Sequence, residues 1–441
     1  MKLCHGGSCQ SRVESPDLLV WSGFFNSKGG KKAGKMRKMK ELAILGVGRH
    51  QWGKFPDKSF ADLAEEACLN ALKDANVERN DIEFVSGGMD PYGGTGGMAL
   101  GLLAGNTVSH RLGLTVPATS CYNACATGGW ALKTAQAYIT TGFCDMALVF
   151  GASAPPKGFF APTGKDDEFD PADSDFQRFR LFGSTNVSGF AQGALRRMQL
   201  YGLTEDDLAE IKVRSSKYAQ FNPYARYKKV YTKAEVLNSP MVSYPLHLFE
   251  VCATSDGAAA AVVCSLEKAK QYTTKPVIIS AIGIGYTGYN DPGYARGAFA
   301  TNAKPPAQGT GLENTVEYRA GKAAYEEAGI GPEDLSFAEV YDLSSSMKLD
   351  WFEQLQLCKE GEAEALFRSG ATEIGGRIPV SPSGGVAATG ETIPAQALYF
   401  VAEVADQLRS RAGGRQVEGA KVGLCVNSGA GGNAQAIIMK R

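Results

Sequence analysis

Histidine is scarce, with four residues in 441, at positions 5, 50, 110 and 247. The ten cysteines include no Cys-x-x-Cys pair and no Cys/His cluster, so zinc-finger spacing is excluded and no metal is expected. Thiols scattered through apolar segments suit a reduced, cytoplasmic protein in which most cysteines are small core residues. Net charge is lacking too, because 46 basic side chains balance 46 acidic ones. Without a general basic field, neither nucleic acid nor an anionic membrane surface is an expected partner. No apolar run approaches the ~20 residues of a membrane-spanning helix. Any anionic ligand therefore needs local donors, such as helix N-termini.

What is present points to a large layered protein. The chain is 44% hydrophobic and 21% charged, enough for two to three ordinary domains or one large one. Its 53 glycines gather in short patches, Gly93–Gly97 and Gly429–Gly432 among them, which suits tight turns between elements. Residues 1–38 are rich in Gly, Ser and Lys and lack the apolar stretch of a signal peptide. They are expected to be a non-native or disordered extension, with Met36 or Met39 as the functional start.

Beyond Lys40, strand and helix signals alternate. Glu41–Val47, Met146–Gly151, Ala259–Cys264, Val277–Ile284 and Val422–Val426 read as buried strands. Ser59 to Ala75 has helical spacing, with Ser59 as cap and Asp62 in the first turn. The pattern predicts an α/β fold with largely parallel sheets. Two echoes run through it. Ala71–Val85 resembles Ala324–Ala338, and Asp145–Ser153 resembles Lys421–Gly429, in the same order. Two ordered echoes favour a duplicated half-domain. Between the halves, about 155–245, the chain is polar, with an acidic run at Asp166–Asp175 and one clear helix at Thr204–Tyr218. This stretch reads as an inserted loop domain.

The sharpest local signal is Asn123-Ala124-Cys125-Ala126-Thr127-Gly128-Gly129, followed by a helix-forming run from Trp130 to Ile139. Cys125 thus sits near a helix N-terminus, where the dipole is expected to lower a thiol pKa and support an oxyanion. A cysteine in an apolar stretch is more often inert core, and Cys121 reads as one of that kind. His247 reads as a structural histidine.

These residues resemble the nucleophile turn of thiolases, in particular the sterol-carrier-protein-type and archaeal branch. Ser255-Asp256-Gly257-Ala258-Ala259, Glu339-Val340-Tyr341-Asp342, Ser383-Gly384-Gly385 with Gly390, and Asn427–Gly432 resemble four further motifs of that family, in order. The resemblance covers about Glu41 to Arg441. It implies a thiolase fold: duplicated halves in five αβαβα layers, 39–275 and 276–441, the first carrying the loop domain.

By the same resemblance, Cys125 is the nucleophile, and the backbone N–H groups of Cys125 and Gly429 form the oxyanion hole. Departures are concentrated at the other catalytic positions. Glu391 stands where the family has an activating His, Tyr341 where the branch has another, and Asn427 where a second catalytic Cys is found. Glu391 accepts the thiol proton if burial raises its pKa toward neutrality. Tyr341 serves as a donor to an enolate or alkoxide. The resemblance implies acyltransfer on a bulky 3-oxoacyl-CoA, an aromatic one being among the cases it covers, through an acyl-Cys125 intermediate, with coenzyme A as substrate and no bound cofactor. A retro-aldol lyase on a 3-hydroxyacyl-CoA, using Tyr341 without an acyl-enzyme, stays open beside it, as does a non-catalytic scaffold subunit. A homodimer is implied, and a small OB-fold, zinc-ribbon subunit completing a heterotetramer.

Overall fold

A computed structural model describes residues 41–90, 100–155, 185–286, 311–430 and 432–441. The extension 1–38, the patch Gly93–Gly97 and the acidic run Asp166–Asp175 lie outside the described residues.

Eleven strands are found among the described residues. They are β1 (Leu42–Arg49), β2 (Phe84–Met89), β3 (Ala118–Ser120), β4 (Met146–Ser153), β5 (Met241–Ser243), β6 (Leu246–His247), β7 (Gly257–Ser265), β8 (Val277–Tyr286), β9 (Phe337–Glu339), β10 (Val422–Gly429) and β11 (Asn433–Lys440). Nine join in the order β3-β2-β4-β7-β1-β8-β11-β10-β9, while β5 and β6 form a separate pair. The duplication is written in this order. β2 runs parallel to β4, β4 antiparallel to β7, and β7 antiparallel to β1. β9, β10, β11 and β8 repeat those senses one for one. Leu42–Ile44 and Val277–Ile279 pair antiparallel where the two sets meet.

The longer helices are α1 (Phe60–Ala75), α2 (Ala104–Arg111), α3 (Thr127–Thr140), α4 (Asn186–Tyr201), α5 (Glu205–Ala219), α6 (Val316–Ala328), α7 (Ser345–Gln354) and α8 (Gln396–Leu408). Ser59 caps α1 in a reciprocal box with Asp62, and Thr204 caps α5 with Asp207. The first sequence echo ends α1 and α6 alike, each on a left-handed residue, Asn76 and Gly329.

β1, β4 and β7 are buried along their whole length because helices cover both faces of the sheet. α1 packs on β1, β7 and β4, and α6 packs on β8 and β11. α3 lies on β2 and β4; α8 touches β10, β7 and α3, and all of its residues are buried. α3 and α8 therefore form a middle layer, with sheet and then helix on either side. The five-layer α/β arrangement follows.

The sheet is mixed rather than largely parallel: of its eight pairings five are antiparallel and three parallel, because β7 and β11 run against both of their neighbours and β1 against β8. Two local expectations change as well. α3 starts at Thr127, three residues before the apolar run that announced it, because Gly128 and Gly129 dilute the helical signal. α4 was not expected at all. Its glycines at 189 and 193 break the apolar stripe, yet Thr185 and Ser188 cap it. Its Arg197 is buried in ion pairs with Glu353 of α7 and Glu364. Among the described residues no helix is long and apolar enough to cross a membrane, and no cluster of three or more His, Cys, Asp or Glu suits a metal ion.

Candidate active site

Cys125 stands in the turn between β3 and α3, at the carboxyl ends of the parallel strands β2 and β4. The residue before it, Ala124, has φ +49°, a left-handed conformation that costs a non-glycine residue about 1 kcal/mol or more. Local hydrogen bonds hold it there. Thr127 Oγ1 donates to the Ala124 carbonyl (2.6 Å) and accepts from the Asn123 N–H (2.8 Å). The Ala126 and Thr127 N–H groups donate to the carbonyls of Asn123 and Ala124, each at 3.1 Å. A thiol on a pinned, strained turn is displayed in one orientation, which is what catalysis at such an atom would need.

The carboxyl group of Glu391 arrives from a different part of the chain. Its backbone is clamped beside β7: the Glu391 N–H donates to the Ala253 carbonyl (2.9 Å), and its carbonyl accepts from the Ser255 N–H (2.7 Å). Tyr341 follows β9, and its own carbonyl accepts from Trp351 Nε1 (2.7 Å). The Tyr341 hydroxyl donates to Glu391 Oε1 at 2.5 Å, with both side chains buried. Each of them also interacts directly with the Cys125 thiol. Cys125, Tyr341 and Glu391 thus meet, although 266 residues separate the first from the last in sequence.

The electrostatics of this trio favour protons staying on. Burial is the main cause of a Glu391 pKa of about 8; the Asp90 charge adds to it, and the Tyr341 hydrogen bond opposes it. Burial first, then the Glu391 charge, pushes the Cys125 thiol well above its usual value. The Tyr341 phenol is raised for the same reasons. The expectation of a lowered thiol pKa at the helix N-terminus is therefore reversed. Desolvation and two carboxyl groups outweigh the dipole, which is worth only about 0.3–2 kcal/mol.

β10 closes the site from the opposite sheet wing. Gly429 lies against the nucleophile turn so closely that a Cβ there would meet the Asn123 carbonyl oxygen at 2.4 Å. Gly429→Ala is expected to push the turn aside and lower kcat about 10²-fold, the usual cost of misplacing a reacting group by ~1 Å. Steady-state kinetics on a variant with wild-type melting temperature checks this. Asn427 shares that face of the strand, two residues earlier. Its side chain is buried, and neither amide atom finds a hydrogen-bond partner among the described residues. Such a group is costly unless a bound molecule completes it.

Two members of the neighbourhood were not foreseen. Cys252, read as core, lies in the field of both Glu391 and Cys125. Only its position three residues before the Ser255-Asp256-Gly257 turn could have flagged it. Asp90, just past the end of β2, bears electrostatically on the same pair. His50 and His247 are engaged elsewhere, with the carbonyls of Gln51 and Ser239.

The sequence of the Thiolase C-terminal domain-like family matches residues 306–441, and that of the beta-ketoacyl synthase N-terminal domain matches residues 60–159. An acetyl-CoA acetyltransferase of Methanothermobacter thermautotrophicus is 33% identical over 415 residues, spanning 91% of this chain and 100% of the relative. The chain belongs to the thiolase family. Another thiolase-family relative, benzoylsuccinyl-CoA thiolase subunit BbsB of Thauera aromatica, is 32% identical over 87% of this chain and 93% of its own length. Sterol carrier protein 2 of Bos taurus is 30% identical over 90% of this chain and 72% of its own length.

Solved structures agree on the thiolase fold. The Ltp2-ChsH2(DUF35) aldolase superposes with a TM-score of 0.73 at 25% identity, covering 91% of this chain and 97% of that one. Human mitochondrial 3-ketoacyl-CoA thiolase superposes with a TM-score of 0.67 at 14% identity, covering 91% and 98%.

Proposed function

We propose that the protein is a thiolase-type acyltransferase that breaks or forms a carbon–carbon bond in a bulky 3-oxoacyl-CoA through an acyl-Cys125 intermediate. The observation that carries this reading is the contact of the Cys125 thiol with a buried carboxyl group whose pKa, about 8, suits proton exchange near neutrality. In cleavage, ionised Glu391 takes the thiol proton and the Cys125 sulfur attacks the 3-carbonyl. The N–H groups of Cys125 and Gly429 receive the oxyanion. The bond between C2 and C3 breaks, the enolate takes its proton from Glu391, and the acyl group remains on sulfur. The thiol of coenzyme A then attacks the acyl-Cys125 carbonyl and regenerates the free cysteine. Tyr341 and the Asn427 amide supply hydrogen bonds to substrate oxygens.

The segments 39–275 and 276–441 are the two thiolase halves in this reading, with about 155–245 as the loop domain. A homodimer in the cytoplasm, assisted by a small OB-fold, zinc-ribbon subunit, fits relatives described as a subunit and as a complex with a DUF35 protein.

The test is intact-protein mass spectrometry of wild type and Cys125→Ala after exposure to a panel of acyl-CoAs. A mass gain of one acyl group, missing in the variant and discharged by free coenzyme A, is the expected result. Absence of any adduct while turnover continues overturns the acyl-enzyme.

One observation favours a second reading. Tyr341 donates directly to Glu391, a ready proton path, and the 25% identical relative is an aldolase. A retro-aldol lyase would take the substrate hydroxyl proton through Tyr341. Tyr341→Phe separates the two. Acyltransfer is expected to fall by about 10- to 100-fold with the adduct still forming, because one hydrogen bond of about 1.5–3 kcal/mol is lost. A lyase would lose its activity altogether, read by product formation without added coenzyme A.

A further inference from the structure

The mechanism above leaves the buried carboxyl group of Asp90 without a task. Asp90 lies immediately beyond β2, 1% exposed. It takes the same face as Gly88, where a Cβ would strike the Cys121 carbonyl oxygen and Thr127 Cγ2, both parts of the nucleophile turn. Its partner is Ser153, at the end of the adjacent parallel strand β4, whose hydroxyl donates to Asp90 Oδ2. The other oxygen, Oδ1, is buried and finds no hydrogen-bond partner among the described residues. Residues 393–395, which begin two positions after Glu391, pack on both β2 and β4. Asp90 is thereby enclosed between the turn that carries Cys125 and the segment that carries Glu391.

We infer that Asp90 is a positioning residue that holds the resting proton on the Cys125–Glu391 pair, acting by charge from the carboxyl end of β2. The inference rests on the reading of Cys125 and Glu391 as the reacting pair, but not on an acyl-enzyme.

The physical argument concerns how much negative charge one dry site can hold. Glu391 and Cys125 each become anionic on losing a proton, and a carboxylate already present opposes both losses. The groups that bear on Asp90 set its own charge. Burial is the largest influence and lifts its pKa to about 6; the Ser153 hydroxyl and the Ala154 N–H favour the ionised form, as does Lys54, while Asp256 opposes it. Lys54 is itself engaged by Asp256 Oδ1 at 2.7 Å and by the Pro155 carbonyl at 3.1 Å, so its charge is largely spoken for. The proton that Glu391 takes from the thiol is the one a departing enolate requires, and the Asp90 charge opposes its loss in between.

The test follows the rate at which iodoacetamide alkylates Cys125, read by peptide mass, across neutral and alkaline pH. Loss of the neighbouring charge in Asp90→Asn is expected to move the profile down by about one pH unit, so alkylation at fixed neutral pH quickens about tenfold. The wild-type and variant rates converge as pH falls through about 6, where Asp90 itself takes up a proton. Ser153→Ala removes a donor that keeps the carboxylate ionised and shifts the profile the same way by less. A purely structural role would change melting temperature and leave the profile in place.

A folded Asp90→Asn variant whose profile overlays wild type overturns the inference. Should that variant not fold, an unshifted Ser153→Ala profile does so. Failure of the acyl-enzyme is a separate result, because alkylation consumes no acyl-CoA. A shifted profile without any acyl adduct would leave Asp90 in place and remove only the thiolase chemistry.

Discussion

Glu391→Gln is expected to lower kcat/KM by about 10²–10⁴-fold, the range over which a positioned general base acts. Gln keeps the shape and can still accept from the Tyr341 hydroxyl, so the loss reports proton transfer rather than packing. The pH dependence carries its own sign. A base must be ionised to work, so wild-type kcat/KM should rise with pH through about 8, the value to which burial lifts Glu391. A histidine base would place that limb near its usual ~6.5.

Stability should move the opposite way. Glu391 titrates higher in the folded protein than its usual 4.5, so the folded state holds a proton that the unfolded chain releases. Its contribution is fully present below the unfolded value and is lost as pH rises through about 8. Glu391→Gln removes that penalty, so the variant should melt above wild type at alkaline pH and lose this advantage toward acid pH. Buried Glu339, also raised to about 8 by burial and the Glu403 charge, is common to both proteins and cancels in the comparison. Activity lost together with alkaline stability gained is the signature of a group kept in place for chemistry. Melting curves across pH, beside the kinetics, check both halves.

How far the sequence reaches can be argued from these same residues. Cys125 was legible because a run of seven residues fixes a turn and a helix start together. Glu391 was legible only by counting forward from Gly384-Gly385, since a lone glutamate carries no signal of burial. The repeated strand order was legible through the echo at β4 and β10, where matching apolar runs lie at equal places in two halves. The sign of the thiol shift was not. It depends on desolvation and on carboxyl groups brought from two distant segments, whereas local sequence shows only the helix dipole. Asp90 was invisible for a related reason: a charged residue after a strand usually marks a solvated turn, and only the enclosure between two segments makes it part of the site. α4 escaped because its glycines break the periodic stripe, while its real anchor, Arg197, pairs with Glu353 and Glu364 far along the chain.

Cys125→Ala is expected to cost on the order of 10⁴-fold or more in kcat/KM, and adding Glu391→Gln to it should cost little beyond that. The reason lies in the resting protonation. A thiol held well above its usual pKa is a poor nucleophile on its own, because the fraction present as thiolate at neutral pH is minute. It gains reactivity only as its proton passes to Glu391, so neither group retains its task without the other. Free energies of such a pair do not add, and the double-mutant cycle measures the shortfall. Kinetics of the two single variants and the double, under one set of conditions, give the coupling directly. A Cys125→Ala enzyme that keeps most of its turnover, with Glu391→Gln still multiplying the loss, would mean that Glu391 serves a proton other than the thiol's. The Tyr341 hydroxyl, 2.5 Å from Glu391, is the group through which that proton would then travel.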